Sequence, residues 1–208
     1  PKTYLPNNNE FYEARYFESA ARLGKEPVDI EYAGQKCKFG VFQLFDMGKA
    51  CIGVEICQDL WVPIPPCSYA TLSGANLILN LSASNETLGK HDFRKTLLSA
   101  TSARLHTAYV YASTGYGESS DDLVWGGSSM IYEDGELLSE NARFDKSSCR
   151  AIADIDIESL KASRLHSANY TIDGQSEDYR YLHVDCGLPA DSDFDSLLFR
   201  NIERHPFF

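Results

Sequence analysis

No stretch of the sequence approaches the about 20 consecutive apolar residues that a membrane-spanning helix needs. No charged start leads into a hydrophobic run either, so neither a bilayer span nor a secretion signal is legible. Basic residues are scarce: 19 Lys and Arg face 30 Asp and Glu, a net charge of −11. The deficit is local. Up to residue 116 acids and bases balance at 11 each, whereas from 117 onward 19 acids face 8 bases. Such a surface repels phosphate backbones, which argues against a nucleic-acid partner, and the acidic half reads as a solvated face. No CxxC pair occurs among the six cysteines at 37, 51, 57, 67, 149 and 186, and the 51–57–67 spacing fits no zinc ribbon or finger. A chain of 208 residues, 43% of them hydrophobic, builds a core without a disulfide scaffold. Free thiols in a reducing, cytoplasmic setting are therefore expected. Repeats, low-complexity tracts and Ser/Gly linkers are missing, and the chain starts at Pro1 rather than Met, which reads as a piece of a longer protein.

What is present alternates between strand and helix. Residues 1–9 read as extended chain turning into a loop, and residues 10–24 (EFYEARYFESAARLG) as a helix stopped by Gly24. Residues 36–42 and 49–57 read as strands. The second, KACIGVEIC, is apolar nearly everywhere except Glu55, the pattern of a strand covered on both faces. The prolines of VPIPP mark a loop, and 68–74 a short helix. NLILNL at 76–81 is a further buried strand. Residues 89–106 form the clearest helix, with apolar or small residues at 93, 97, 98, 100, 101 and 105, and AYVYAS at 108–113 is again a strand. That order predicts an α/β layer structure. Beyond it, Glu133-Asp134-Gly135 reads as a hairpin turn between strands at 128–132 and 136–140. RAIADIDI at 150–157 alternates like a half-buried strand, 158–165 reads as helix, and 170–208 as an irregular, acidic, aromatic tail.

Cys57 sits where a buried strand gives way to a loop, the only cysteine so placed. There a nucleophile can reach a cleft while the next backbone N–H faces a developing oxyanion. The alternative is an inert buried thiol. None of the five histidines (91, 106, 166, 183, 205) lies in a recognisable Cys–His protease context, so a Cys–His pair is open but unsupported, and a carboxylate or lysine partner is the other route to activation.

The segment G-V-E-I-C-Q-D-L-W at 53–61 resembles the nucleophile motif of the nitrilase superfamily, whose members attack carbon–nitrogen bonds with a Cys–Glu–Lys set. P-K-T-Y-L-P at 1–6 followed by E-F-Y-E at 10–13 is similar to the lysine segment of one branch, the glutaminase domain of glutamine-dependent NAD synthetases. The likeness continues through N-L-S-A-S at 80–84, A-Y-V-Y-A at 108–112, G-E-S at 117–119 and M-I-Y-E-D-G at 130–135, spanning residues 1–165. The resemblance implies an αββα sandwich, present here as its later portion (1–165), then an irregular tail and the start of a connection to a synthetase domain (166–208). By the same resemblance Cys57 is the nucleophile toward the side-chain amide of L-glutamine. Lys2 and the N–H of Gln58 stabilise the oxyanion, Glu13 holds the lysine, and Ser84, Lys90 and Asn8 lie at the amino-acid end of the substrate. Three positions depart from the family's usual choice: Gln58 stands where Glu is frequent, Asn8 where Tyr is common, and Lys90 where Arg is frequent.

The family's general base is a glutamate upstream of the lysine. No residue here matches it, so this chain alone is expected to be inactive. R-H-P-F-F at 204–208 is similar to the start of the connection to the synthetase half, and no S-G-G-x-D-S phosphate-binding run occurs. The resemblance thus implies no metal or cofactor in this chain, ATP and Mg²⁺ in the synthetase domain of the same polypeptide, and a homo-oligomer. Two other readings stay open: a stand-alone amidase of the superfamily, or a non-catalytic scaffold of the same fold.

Overall fold

A computed structural model of the chain describes residues 1–8, 11–119, 122–168, 170, 180–188 and 199–200. The extended amino-terminal segment closes a two-stranded ribbon, β1 (Asn7–Asn8) against β2 (Phe11–Tyr12). The helix expected over 10–24 does not form. Among the described residues of that span, β2 is followed by two 3-10 turns, Glu13–Arg15 and Ala20–Arg22. Their polar groups are spent on the first residues instead: the Ala20 N–H donates to the Lys2 carbonyl, and the Ser19 hydroxyl donates to the Thr3 carbonyl. The segment is thereby laid against the chain start rather than coiled on itself.

A separate hairpin follows, β3 (Val28–Tyr32) with β4 (Gln35–Phe39), turned by Ala33 and Gly34, both at positive φ. The main body is one seven-stranded sheet. Its strands are β5 (Gln43–Met47), β6 (Ala50–Ile56), β7 (Leu77–Ser82), β8 (Ala108–Ser113), β9 (Ser129–Glu133), β10 (Glu136–Glu140) and β11 (Leu182–Asp185), in the spatial order β10-β9-β8-β7-β6-β5-β11. The three central strands β6, β7 and β8 run parallel, joined by α1 (Pro66–Leu72) and α2 (Lys90–Leu105). Their carboxyl ends therefore lie side by side, where loops of α/β sheets gather functional groups. The β9–β10 turn holds Asp134 at φ 45° and Gly135 at φ 93°, the backbone a two-residue hairpin requires. A third helix, α3 (Ile157–His166), packs after the hairpin with the Asp156 side chain capping its first turn.

Both connecting helices cover the same sheet face. Ile78, Tyr109, Tyr111 and Met130 from the strands meet Cys67, Ala70, Leu98 and Leu105 in one buried cluster. The opposite face is uneven: Val54 is 45% and Leu81 58% exposed among the described residues. The expectation that β6 is covered on both faces is thus half wrong. Its one charged residue, Glu55, points into the helix-covered core at 3% exposure, and apolar Val54 points out. The α2 stripe is also turned relative to the expectation. Arg94, Leu98, Thr101, Ser102 and Leu105 are buried, while Phe93 is exposed and stacks on Trp61. Arg94 tolerates burial because Glu86 Oε1 lies 2.7 Å from its Nη1.

Two further expectations are corrected. Residues 150–157 make no strand: the Ile152, Asp154 and Asp156 N–H groups go to the Ser139 hydroxyl, the Phe199 carbonyl and the Glu133 carboxylate, not to a neighbouring ladder. The tail is not irregular throughout, since β11 adds in parallel to the edge strand β5. The rest of 170–208, apart from the residues named as described, lies outside the described set, as do Asn9 and Glu10. No helix among the described residues is long and apolar enough to cross a membrane.

Candidate active site

The site begins with one strained residue. β6 ends at Ile56, and Cys57 opens a 3-10 turn (Cys57–Trp61) with φ +49°. A non-glycine residue there is uncommon and is kept only where its surroundings hold it. Two buried side chains do so. The Cys57 N–H donates to Asn80 Oδ1 at 3.2 Å, and Asp59 Oδ2 accepts from the Ile56 N–H at 3.0 Å. The Cys57 thiol is half-buried, its Sγ 3.9 Å from the Ala83 carbonyl oxygen just past β7.

Asp59 also carries the second half of the site. Its Oδ1 accepts from the Tyr4 N–H at 2.7 Å and its Oδ2 from the Thr3 N–H at 3.4 Å, which pins the segment after Lys2 onto the turn that holds Cys57. Burial pushes the Asp59 carboxyl above the usual range, while the N–H groups of Ile56, Tyr4 and Thr3 and the Lys2 charge pull it back. Lys2 Nζ meets Glu13 Oε2 at 2.5 Å, with 12% and 30% of the two side chains exposed. Glu13 is fixed in turn by its own N–H, which donates to the Pro6 carbonyl. Lys2, Glu13 and Cys57 line one cavity of about 500 Å³ together with Leu5, Ile56 and Ala83.

Behind the cysteine lies a buried polar set. Asn80 spends its whole amide there: Oδ1 accepts from Cys57 N–H and Ser82 Oγ (2.7 Å), and Nδ2 donates to Glu55 Oε1 (3.3 Å) and the Tyr109 hydroxyl (3.1 Å). Tyr109 donates to Glu55 Oε1, and Glu55 Oε2 accepts the Cys67 N–H at 3.0 Å. Burial pushes the Glu55 carboxyl up, against the hydrogen bonds it accepts. It pushes the Tyr109 phenol well up as well, with the Glu55 charge adding to that effect. A fully satisfied set of this kind fixes β6, β7 and β8 in register exactly where the nucleophile-bearing turn departs.

The residues named from sequence do not all meet. Lys2, Glu13 and Cys57 share the cavity, and Gln58 is the next residue of the turn. Ser84 is buried beyond Ala83, its N–H donating to Ser113 Oγ and its Oγ 3.5 Å from Arg94 Nη2. Lys90 opens α2, with Nζ 2.5 Å from Asn85 Oδ1 and 5.6 Å from the Trp61 ring centroid. Neither Ser84 nor Lys90 lines the cavity. Asn8 lies in β1, and its side chain is outside the described set. Sequence reading missed the positioning groups Asp59, Asn80 and Tyr109. The available signal was polarity inside apolar runs: Glu55 in KACIGVEIC and Asn80 in NLILNL.

Cysteine, lysine and carboxylate thus share one cavity at the carboxyl ends of the parallel strands β6 and β7. The sequence pattern of the carbon-nitrogen hydrolases matches residues 1–165, and the chain belongs to that family. Among curated proteins, the glutamine-dependent NAD(+) synthetase of Mycobacterium tuberculosis is 40% identical over 215 residues, covering all of this chain and 31% of that protein. That of Thermotoga maritima is 32% identical over 78% of this chain and 25% of its own length. The chain therefore spans less than a third of these relatives. Among solved structures, a glutamine-dependent NAD(+) synthetase from Cytophaga hutchinsonii superposes with a TM-score of 0.61 at 30% identity, over 73% of this chain and 24% of the other. A carbon-nitrogen hydrolase from Helicobacter pylori gives 0.54 at 21% identity, over 79% and 54%, a likeness of fold. The expected nitrilase-type α/β fold is the fold found.

Proposed function

We propose that the chain is the glutaminase part of a glutamine-dependent NAD synthetase. The observation that carries this reading is the convergence of Cys57, at φ +49°, and the Lys2–Glu13 pair on one cavity. The Cys57 sulfur attacks the side-chain carbonyl carbon of L-glutamine. Lys2 and the Gln58 N–H take the oxyanion, Glu13 keeps Lys2 in place, and the amide nitrogen leaves, protonated, as ammonia. Water then attacks the thioester carbon and releases glutamate and the thiol. The base that moves these protons is the family's upstream glutamate, so residues 1–208 alone are expected to turn over glutamine negligibly. Only the resemblance puts Ser84, Lys90 and Asn8 at the amino-acid end of the substrate, since Ser84 and Lys90 lie outside the cavity.

The acyl transfer runs on the protein's own sulfur and asks for no cofactor. ATP and Mg²⁺ belong to the synthetase part, where the ammonia amidates adenylylated nicotinate adenine dinucleotide. The residues here do not fit a nucleotide: the segment 57–65 after β6 holds no glycine, and the segment 83–89 after β7 holds only Gly89, at its end. Partners are the synthetase domain of the same polypeptide and further copies in a homo-oligomer, in the cytoplasm. A stand-alone amidase is disfavoured by the match of the whole chain, tail included, to much longer synthetases. A scaffold without activity is disfavoured by the retained Cys57, Lys2 and Glu13.

The test uses the intact protein. Cys57→Ala is expected to cut glutamine-driven NAD formation at least about 10⁴-fold while sparing formation driven by free ammonia. Loss of both activities would make the cysteine structural and overturn the reading.

A further inference from the structure

The far end of β6 carries a second constellation. Asp46 on β5 and Cys51 on β6 are direct cross-strand partners, and β11 brings His183 alongside. His183 Nδ1 lies 3.0 and 3.3 Å from the two Asp46 oxygens, and Cys51 Sγ lies beside the same carboxylate. One ligand atom from each of the three residues lies within 4.8 Å of the other two. A tetrahedral ion bound at about 2.0–2.3 Å holds its ligand atoms about 3.2–3.8 Å apart, so little movement would close these donors on one centre. Cys51 and Cys57 are six residues apart on an extended strand, about 20 Å, so the two constellations occupy opposite ends of the sheet.

We propose that Asp46, Cys51 and His183 form a binding site for a zinc-type divalent transition-metal ion, unrelated to the acyl-transfer chemistry. Thiolate, imidazole and carboxylate together suit Zn²⁺ or Co²⁺ and suit Mg²⁺ and Ca²⁺ poorly. Three protein ligands leave the fourth position to water, and the half-exposed His183 gives the ion a route in. Binding displaces the Cys51 proton, leaving Asp46 and the thiolate to balance the two positive charges. Other charged groups face the site. Arg164 and Lys161 of α3 act on Cys51, but Arg164 is committed to the carbonyls of His106 and Ala75. Asp185, the register partner of Asp46, is occupied by the Gly187 N–H. The donors come from three strands, one of them 132 residues beyond Cys51 in sequence, which is why cysteine spacing gave no sign of the site.

The competing description is a plain Asp46–His183 ion pair beside a protonated thiol. Titrating the intact protein with Co²⁺, in a Cys57→Ala background and with a reductant that does not bind metal, separates the two. The expected result is one saturable equivalent with a sulfur-to-cobalt charge-transfer absorption, displaced by Zn²⁺ and not by equal Mg²⁺. Cys51→Ser should abolish that absorption, and His183→Asn, a substitution at an exposed residue, should weaken Co²⁺ binding at least about 10-fold. Circular dichroism of both variants checks that they fold. No saturable binding, an absorption that survives Cys51→Ser in the folded protein, no effect of His183→Asn, or equal displacement by Mg²⁺ would each overturn the proposal.

Discussion

Two cysteines, one within β6 and one just past its end, have opposite circumstances. Cys51 is locked inside the ladder opposite Asp46, and burial, followed by the Asp46 carboxylate, pushes its thiol up to about 12. Cys57 stands one step past the last ladder residue, at positive φ, on a cavity shared with an ammonium group. A regular strand satisfies its own backbone donors and acceptors and leaves none for a substrate. Where the strand stops, backbone donors come free and side chains from other loops can converge. Without a bound ion, the mid-ladder position beside an acid keeps a proton on the Cys51 sulfur, whereas the strand end sets the Cys57 sulfur on a cavity with Lys2.

That contrast can be sharpened by removing what differs. Lys2→Ala is expected to lower glutamine hydrolysis by the intact enzyme about 10²- to 10³-fold in kcat, the scale of one oxyanion donor, and to leave alkylation of Cys51 unchanged. An equal slowing at both cysteines, followed by mass mapping, would mean that Lys2 acts on the fold rather than the site. Glu13→Gln keeps the shape but loosens the lysine, and a drop of about 10- to 100-fold in kcat with little change in KM is expected.

Breaking the turn is a different operation. Asp59→Ala leaves the Tyr4 and Ile56 N–H groups without their acceptor and should cost about 2–3 kcal/mol in denaturant unfolding. It should also free the segment bearing Lys2, so glutamine hydrolysis should fall while Cys51 still resists alkylation.

The smallest expected effect is a slope. Glu55 titrates above its ordinary value of 4.5 because of burial, so its contribution to stability is complete below that value and is lost as the pH rises through its raised folded value. As the pH rises above 4.5, wild-type stability should therefore decline relative to Glu55→Gln. Parallel stability–pH curves for the two proteins would show that the carboxyl is not held up by burial.

The central βαβαβ order and the β9–β10 hairpin were legible because periodicity and turn residues are local signals. The register of 3-10 turns at 10–24 was not: the segment has helical character, but its hydrogen bonds go to Lys2 and Thr3, a contact the local pattern does not contain. The same holds for β11, whose partner β5 is far away in sequence, and for 150–157, whose alternation is real but whose N–H groups find two side chains and the Phe199 carbonyl. The place of Cys57 at a strand end was legible from the apolar run before it, but a role for it came only with the resemblance. Lys2 and Glu13 were legible only through resemblance, since a lysine near a chain start looks like any solvated lysine until Asp59 is seen tying its segment to the cysteine turn. Asn80 and Glu55 were visible as polar residues in buried strands, and their meaning needed the register that sets them side by side.

The central claim is that the Cys57 sulfur is poised to take an acyl group from glutamine. Its most direct test is to incubate the intact protein with a diazoketone analogue of glutamine and map the adduct by peptide mass spectrometry. The account expects one adduct per chain, on Cys57, blocked by excess glutamine and absent from Cys51. An adduct on another residue, or none on a protein that still hydrolyses glutamine, would contradict it.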